Sequence, residues 1–473
     1  MRYYFDVVVI GGGPAGLGTA CALAMELPLQ TGSAHSGRSY IKRSFVVIDS
    51  GKRLFKRDRN NKRDIVTGIG GAGLFSDGKF SFFPSSSMLW RLPNRDVLRD
   101  AYMWYKRLLS NYNDSVPDFP DSLDAPTSVS KSGVATENSW HLKEYLSIYL
   151  SLEERYDLIN RMVNIIGESN IMTETEIIDY TTNHKGEHVL TALTPDEENP
   201  GKTREIQIVC RNIVVAGGRF WPMFSRTGQP NTRFMRLEYG VRVQGSPDLS
   251  IFTETKIKDP KYKYESVKCS FDKIDEMKEN CCVNIPSEFI KDVTQSSPGI
   301  EYRTFCCCRN GEVVVTEFNE LETCSGRADC EPTKESNIGF NVRVKDPVTA
   351  ALIGDTGFLK EGGTFTDVPM KTVLKLPTSS QSNIIEKHFG TEGAKHLVTG
   401  LKKLCERFPD LERATLSGPT LEGVGYYPET NDELRMRDQS VWVVGDACGK
   451  FRGITASVVS GYYVGLNLGQ MSE

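Results

Sequence analysis

Tyr4-Phe5-Asp6-Val7-Val8-Val9-Ile10-Gly11-Gly12-Gly13-Pro14-Ala15-Gly16 decides the fold. The β-branched run up to Ile10 reads as a buried strand. Gly11, Gly13 and Gly16 then form a G-x-G-x-x-G string, and Pro14 is suited to the first turn of a helix because its missing N–H is an orphan there anyway. Small and apolar residues continue from Pro14 to Met25, and Pro28 stops them. After a polar stretch, Gln30 to Ser44, taken as a loop insertion, Phe45 to Ile48 supplies a second strand. Strand, glycine turn, helix and strand make a βαβ unit. In that frame bare backbone at Gly11, Gly13, Pro14, Ala15 and Gly16 can approach a pyrophosphate at the helix N-terminus.

Working outward, Asp49 ends the second strand, where a carboxylate accepts hydrogen bonds from an adenosine ribose, and Ser50 stands beside it. The run Gly68-Ile69-Gly70-Gly71-Ala72-Gly73-Leu74-Phe75-Ser76-Asp77-Gly78-Lys79 offers successive N–H groups as an anion nest, with Lys79 set to neutralise a phosphate or face the cofactor. It lacks a CxxxxC, so no reactive dithiol sits at that position. Glu205 to Ala216 is a strand pattern closing on Gly217 and Gly218. Near the C-terminus Val441 to Val444 is another buried-strand run, followed by Gly445-Asp446 and a small-residue helix from Gly453 to Leu468.

The chain has 473 residues, enough for two or three lobes. Asp96 to Leu109 and Trp140 to Ile166 read as helices, and Asn113 to Ser132 as an exposed connection. From Glu238 to Thr430 short strand-like runs alternate with polar loops. The expected architecture is α/β: a doubly wound, Rossmann-like dinucleotide domain from residues 1–235 (with a helical insertion at about 86–170) and 425–473, interrupted by a mixed α+β substrate domain at 236–424. Net charge is −4, and no Lys/Arg block is long enough to mark a nucleic-acid or membrane-surface partner. No apolar stretch approaches the roughly 20 residues of a membrane span, and no basic leader precedes Val7, so a cytoplasmic protein is expected. Twelve cysteines in such a chain favour reduced thiols. They show no zinc-ribbon spacing, and the six histidines are scattered, so no metal is expected.

In order along the chain, Gly11–Gly16, the strand end Val214-Val215-Ala216-Gly217-Gly218 and Gly445-Asp446 resemble the glutathione-reductase-like flavoprotein superfamily. More closely, GIGGAGLFSDGK at 68–79, YGVRVQ at 239–244, RTFCCCRNGEVV at 303–314 and GDACGKFRGI at 445–454 are similar to FAD-dependent dehydrogenases of the GGAGxFSDGK type. The resemblance implies non-covalent FAD and a redox role. Hydride transfer between a small organic substrate and flavin N5 is the expected chemistry. Asp446 then reaches the ribityl hydroxyls, and the helix start at Gly453 and Ile454 stabilises negative charge on the reduced ring. Without a second G-x-G-x-x-G, electrons come from NAD(P)H docking transiently, from oxygen, or from a redox partner protein. The chain departs from the family at Trp140-His141-Leu142-Lys143, at Gln244 and at Cys306-Cys307-Cys308-Arg309.

Candidate catalytic residues are Lys79, His141, Cys306, Cys308 and Tyr426. On a regular strand Cys306 and Cys308 share one face and Cys307 takes the other. Small buried thiols also simply fill cores. Arg242 and Arg303 are candidates for an anionic substrate, and Tyr426 and Tyr427 for proton donation to the ring. His141 is read at a helix start. Two rival functions fit the same dinucleotide signature: a non-redox enzyme that uses the nucleotide as substrate, as thiazole-synthase-like relatives of this fold do, and a flavin-containing binding protein.

Overall fold

The computed structural model describes residues 1–25, 43–123, 140–224, 232–266, 299–355, 357–360, 362–375, 384–437 and 439–470. The chain divides into two compact units: Met1–Thr127, Tyr145–Phe234 and Tyr427–Glu473 form the first, and Ser128–Glu144 with Met235–Tyr426 the second.

In the first unit, strand β1 (Arg2–Ile10) runs through the middle of a seven-stranded sheet. Val7, Val8 and Val9 are fully buried, as befits a strand covered on both faces. Strand β2 (Phe45–Ile48) and the strand Thr203–Val215 flank it in parallel, and Ile171–Met172 pairs in parallel with β2. Thr203–Val215 is 13 residues long because its far edge serves two neighbours. His188–Pro195 pairs antiparallel with its first half, and Val441–Val443 pairs parallel with Ile213, Val214 and Val215. The result is an α/β unit built on a parallel sheet. Helix α1 (Pro14–Ala24) packs on the C-terminal helix Ile454–Gln470 backbone to backbone. A Cβ on Gly461 would lie 1.9 Å from the Ala15 carbonyl oxygen, and the Thr19 hydroxyl donates to the Gly461 carbonyl at 3.0 Å. The helix Arg95–Leu109, whose N-cap Asn94 accepts from Val97 N–H, stacks Trp104 on Tyr462 with centroids 4.1 Å apart.

Two sequence expectations change here. Trp140–Ile166 is not one helix: Trp140–Lys143 and Ser147–Tyr149 are strands, and the helix begins at Leu152, where Ser151 and Glu154 form a reciprocal capping box. Upstream of that cap the composition alone fits either state. The connection beginning at Asn113 is not simply exposed, because Val116 and Phe119 are buried, Phe119 against Trp90 and Tyr102. Its continuation past residue 123, and most of the expected Gln30–Ser44 loop, lie outside the described residues. Within that loop Arg43 is described, donating to the Leu468 carbonyl at 2.9 Å.

The second unit carries a sheet whose strands run, edge to edge, Phe365–Pro369, Thr415–Pro428, Thr232–Gly245, Ser336–Val344, Ile300–Cys308, Lys261–Ser266 and Trp140–Lys143. One face is apolar, with Tyr239, Val241, Tyr302, Phe340 and Val342 buried. The helix Ile384–Arg407 lies on it so closely that a Cβ on Gly400 would sit 2.5 Å from Tyr302 Cδ1. The opposite face is ionic. Glu238 is fully buried among Arg236 (2.8 Å), Arg343 (2.9 Å) and Arg303, and Glu301 is ion-paired with Lys345 (3.0 Å) and Lys263 (3.1 Å).

Candidate functional site: a glycine cradle at the start of helix α1

The carboxyl ends of the parallel strands define the site. Gly11 N–H donates to the Ile48 carbonyl (2.7 Å) and Ala216 N–H to the Ile10 carbonyl (2.8 Å), which draws three strand tips together. Gly11 has φ 107° and a Cβ there would lie 2.5 Å from the Ala216 oxygen, so only glycine fits. The turn leads through Gly13, in extended conformation, to Pro14 at the first helical position, and no side chain caps α1. Its first-turn N–H groups, those of Ala15 and Gly16, are therefore directed to an external acceptor, in the field of the helix dipole.

Two further glycine segments meet this turn. Gly70 N–H donates to the Gly12 carbonyl at 2.8 Å. A Cβ on Gly71 would sit 2.9 Å from Gly13 Cα, and one on Gly73 would sit 3.0 Å from Pro14 Cγ and 3.4 Å from Ile454 Cγ1. Ala72 stands exposed on the same short helix, Gly71–Leu74. From the C-terminus, Val444 N–H donates to the Val215 carbonyl (2.9 Å), and a Cβ on Gly445 would lie 2.7 Å from Ala15 Cβ. Gly453 has φ 91°, and a Cβ there would meet nothing within 4 Å, so this end of the cradle is open. Behind it a small cavity is lined by Pro14, Gly70, Gly73, Phe80, Tyr105 and Ile454. The cradle suits a phosphate-bearing dinucleotide: uncapped backbone donors, close backbone approach, and side chains kept away from the helix start.

Asp49 has a larger structural part than the sequence indicated. Its Oδ2 accepts from Gly12 N–H (2.7 Å) and its Oδ1 from Gly51 N–H (2.8 Å) and Gly68 N–H (2.9 Å). Three backbone segments are thus tied to one buried carboxylate, leaving acceptor capacity on Oδ2 for a hydroxyl. Ser50 follows at the turn, half-buried. Ser76 and Asp77 serve their own loop: Ser76 Oγ donates to the Gly73 carbonyl (2.8 Å) and accepts from Gly78 N–H (3.3 Å), and Asp77 accepts from Lys79 N–H (3.2 Å). Lys79 places its ammonium 6.0 Å from the Tyr149 ring centroid. Gly217 ends the central strand with Ala216, and Asp446 faces Arg219 at 3.4 Å.

Three arginines that the sequence reading passed over hold this site. Arg57 is buried beneath the glycine loop and donates to the carbonyls of Asp64, Ile65, Ile69 and Gly71. Arg155, also buried, donates to the Leu74 and Ser76 carbonyls, both at 2.6 Å. Arg219 had a signal, since it directly follows Gly217-Gly218. Arg57 and Arg155 had none, one lying in a basic polar run and the other looking like a helix-surface charge.

The remaining candidates do not join this cradle within the first unit. His141, Cys306, Cys308 and Tyr426 belong to the second unit. His141 lies on an edge strand opposite Lys263, not at a helix start. Cys306 has φ 44° at a register shift between Phe305 and Cys307, so the expected alternation of Cys306, Cys307 and Cys308 is broken by a bulge. Tyr427 is fully buried, which removes it as a proton donor at an open face; Tyr426 is exposed. Arg303 is engaged by Glu238 and Asn341, and Arg242 is buried. Among the described residues no group of three metal-ligating side chains assembles, and no helix is long and apolar enough to cross a membrane.

No family model matches the chain, and no curated protein matches it. Solved structures similar to it include native and K252c-bound RebC-10x, at 12% identity over 95% of this chain and 58% of that one, with a TM-score of 0.33. The myxobacterial chondrochloren halogenase CndH, described as a variant of FAD-dependent halogenases, is 11% identical over 94% of this chain and 69% of that one, with a TM-score of 0.33. A polycyclic ketone monooxygenase from the fungus Thermothelomyces thermophila is 13% identical over 46% of this chain, with a TM-score of 0.23. The chain spans 23% of the length of that monooxygenase and 58% of RebC-10x.

Proposed function

We propose that the chain is an FAD-dependent oxidoreductase that holds FAD non-covalently and transfers hydride between a small organic substrate and flavin N5. The observation that carries this reading is the meeting of Gly11–Gly16, Gly70–Gly73 and Gly445–Ile454 at one uncapped helix N-terminus. FAD supplies the two-electron chemistry; the protein supplies placement and field. Backbone N–H groups of Ala15 and Gly16 bind the pyrophosphate. Asp49 turns its remaining acceptor site to the adenosine ribose, and Asp446, ion-paired with Arg219, accepts from a ribityl hydroxyl. The open start of Ile454–Gln470, at Gly453, stabilises negative charge at the pyrimidine side of the ring. Residues 236–424 form the substrate domain, doubly wound architecture belongs to the remainder, and the protein works in the cytoplasm on a small molecule. NAD(P)H docking at the flavin or a redox partner protein completes the electron path, without a redox-active disulfide in the 68–79 loop and without nucleic acid.

Gly13→Asp tests the reading. Gly13 has φ −75°, and the nearest atom to a Cβ there is Gly71 Cα at 3.7 Å, so the side chain fits. Aspartate is a favoured N-cap and, relative to glycine, adds only about 0.3 kcal/mol to the apoprotein, while its carboxylate takes the pyrophosphate's donors. The expected result is a folded protein whose purified form loses the yellow chromophore, with FAD affinity down about 100-fold. Wild-type protein that neither carries nor takes up FAD, or a variant that binds it unchanged, refutes the reading.

A further inference from the structure

Arg242, on the strand Thr232–Gly245, is 1% exposed, and its guanidinium meets neutral acceptors. Nε donates to Asn337 Oδ1 at 2.9 Å, and Nη2 donates to the same oxygen and to the Cys306 carbonyl at 2.8 Å. Nη2 also points at Cys308 Sγ, 3.6 Å away. Among the described residues no carboxylate pairs with Arg242. The same sheet treats its other buried charges differently, giving Glu238 three arginines and Glu301 several cations. A guanidinium does not shed its proton, and a buried one without counter-charge bears a large desolvation penalty. The cluster is also rich in donors: Asn337 Nδ2 is buried and has no acceptor.

The neighbouring elements limit what supplies the missing charge. Asn337 comes from Ser336–Val344, directly opposite Cys308. The hairpin strand Leu321–Arg327 roofs the sulfur, a Cβ on Gly326 falling 2.7 Å from Cys308 Sγ, and contributes Cys324. Arg327 at its end is paired with Glu312, and Asp259 faces Cys307 N–H on the other side of the strand. Burial pushes the Cys324 thiol up to about 12 against the pull of Arg242. Cys308 is therefore the group in direct contact that becomes negative by losing one proton.

We infer that Cys308 is carried as a thiolate, the counter-ion of Arg242, and that it is a peroxide-reactive site. The thiolate attacks one oxygen of hydrogen peroxide: an S–O bond forms, the O–O bond breaks, sulfur is oxidised by two electrons, and the departing hydroxide takes up a proton as water. The sulfenic acid so formed, on losing its proton, restores the negative charge facing Arg242. The inference is independent of FAD binding.

Acid titration of the full chain, followed by thiolate absorbance near 240 nm as wild type minus Cys308→Ser, is expected to give a midpoint below about 6, against about 8.5 for a free thiol. Arg242→Met moves that midpoint up by about two units or more, and Arg242→Lys, which keeps the charge, leaves it in between. A second readout needs no variant. Under hydrogen peroxide, peptide mass spectrometry of the wild type shows a 16 Da gain on Cys308 at a rate changing less than about twofold from pH 6 to 8, whereas a thiol would speed up about tenfold per unit. A midpoint above about 6, a rate that rises more than about twofold from pH 6 to 8, or oxidation of the half-buried Cys330 without Cys308 overturns the inference.

Discussion

Arg57→Met asks whether the cradle is held from beneath by one side chain. The guanidinium is 5% exposed and sends Nε and Nη2 to the Asp64 carbonyl (2.9 and 2.6 Å), Nη1 to Ile69 (2.8 Å), and Nη2 also to Gly71 (2.9 Å) and Ile65 (3.2 Å). Burial pulls it down to about 10, with Asp49, Tyr156 and Asp64 opposing, so it stays charged at neutral pH. Methionine fills much of the volume and donates nothing. Four buried carbonyls then lose a charged donor. At about 1 kcal/mol each, the loss is about 3–5 kcal/mol, a large part of a typical stability of about 5–15 kcal/mol. Gly71, one of the four, lies against Gly13, so loop displacement reaches the cradle directly. FAD affinity is expected to fall at least about tenfold, equal to about 1.4 kcal/mol. Arg57→Lys, with three donors on one nitrogen, falls between. Urea unfolding gives the stability and flavin fluorescence titration the affinity. A variant within about 1 kcal/mol of wild type that also binds FAD unchanged refutes the reasoning.

Gly461→Ala places a Cβ 1.9 Å from the Ala15 oxygen and forces α1 off the C-terminal helix, for a loss of about 3 kcal/mol in denaturant unfolding. Asp49→Asn swaps one acceptor for a donor that faces a backbone N–H, at a cost of about 2–3 kcal/mol together with weaker FAD retention in gel filtration. For Glu301, burial by itself would raise the carboxyl, but Arg303, Lys263, Lys345 and Arg343 together hold it down to about 2. Its folded-state value lies below the unfolded one, so its stabilisation is complete above about pH 4.5 and disappears as pH falls toward about 2. Wild type should lose about 3 kcal/mol over that window relative to Glu301→Gln, measured by urea unfolding at each pH; parallel curves for the two proteins would refute the ion network.

Much of the first unit was legible because glycine and proline report backbone geometry directly. The string Gly11 to Gly16 specified a turn and a helix start, and Val441 to Asp446 specified the returning strand. The part played by Asp49 was only half legible, because its bonds to Gly51 and Gly68 depend on a loop path that no local pattern encodes. Arg57 and Arg155 were invisible for the same reason: a buried arginine that clamps carbonyls looks, in sequence, like a solvated one. The strand at Trp140–Lys143 was missed because its partner, Lys261–Ser266, lies more than a hundred residues away. Period-two reasoning failed at Cys306, where one bulge residue resets the faces.

The two units carry charge in ways that make them fragile to different changes. In the first unit the positive field at the cradle comes from backbone dipoles, and its side chains are glycine, alanine and proline. An added methyl is damaging there, whereas a new charge near the rim acts mainly on ligand binding. In the second unit cross-strand register creates the field: Glu238 faces Arg343, Arg343 faces Glu301, and each ion is stabilised only while its strand neighbour stays in place. Neutralising one member leaves a buried partner uncompensated, so charge substitutions there cost stability. Arg242 stands inside that rule as its one test case among the described residues, a buried cation whose register partner is Gly339 and whose guanidinium contacts Asn337 and two cysteines. If the rule holds, replacing Arg242 by a neutral residue of similar length destabilises the fold less than replacing Arg343, because a thiolate can take back a proton and a carboxylate as buried as Glu238 cannot do so without loss.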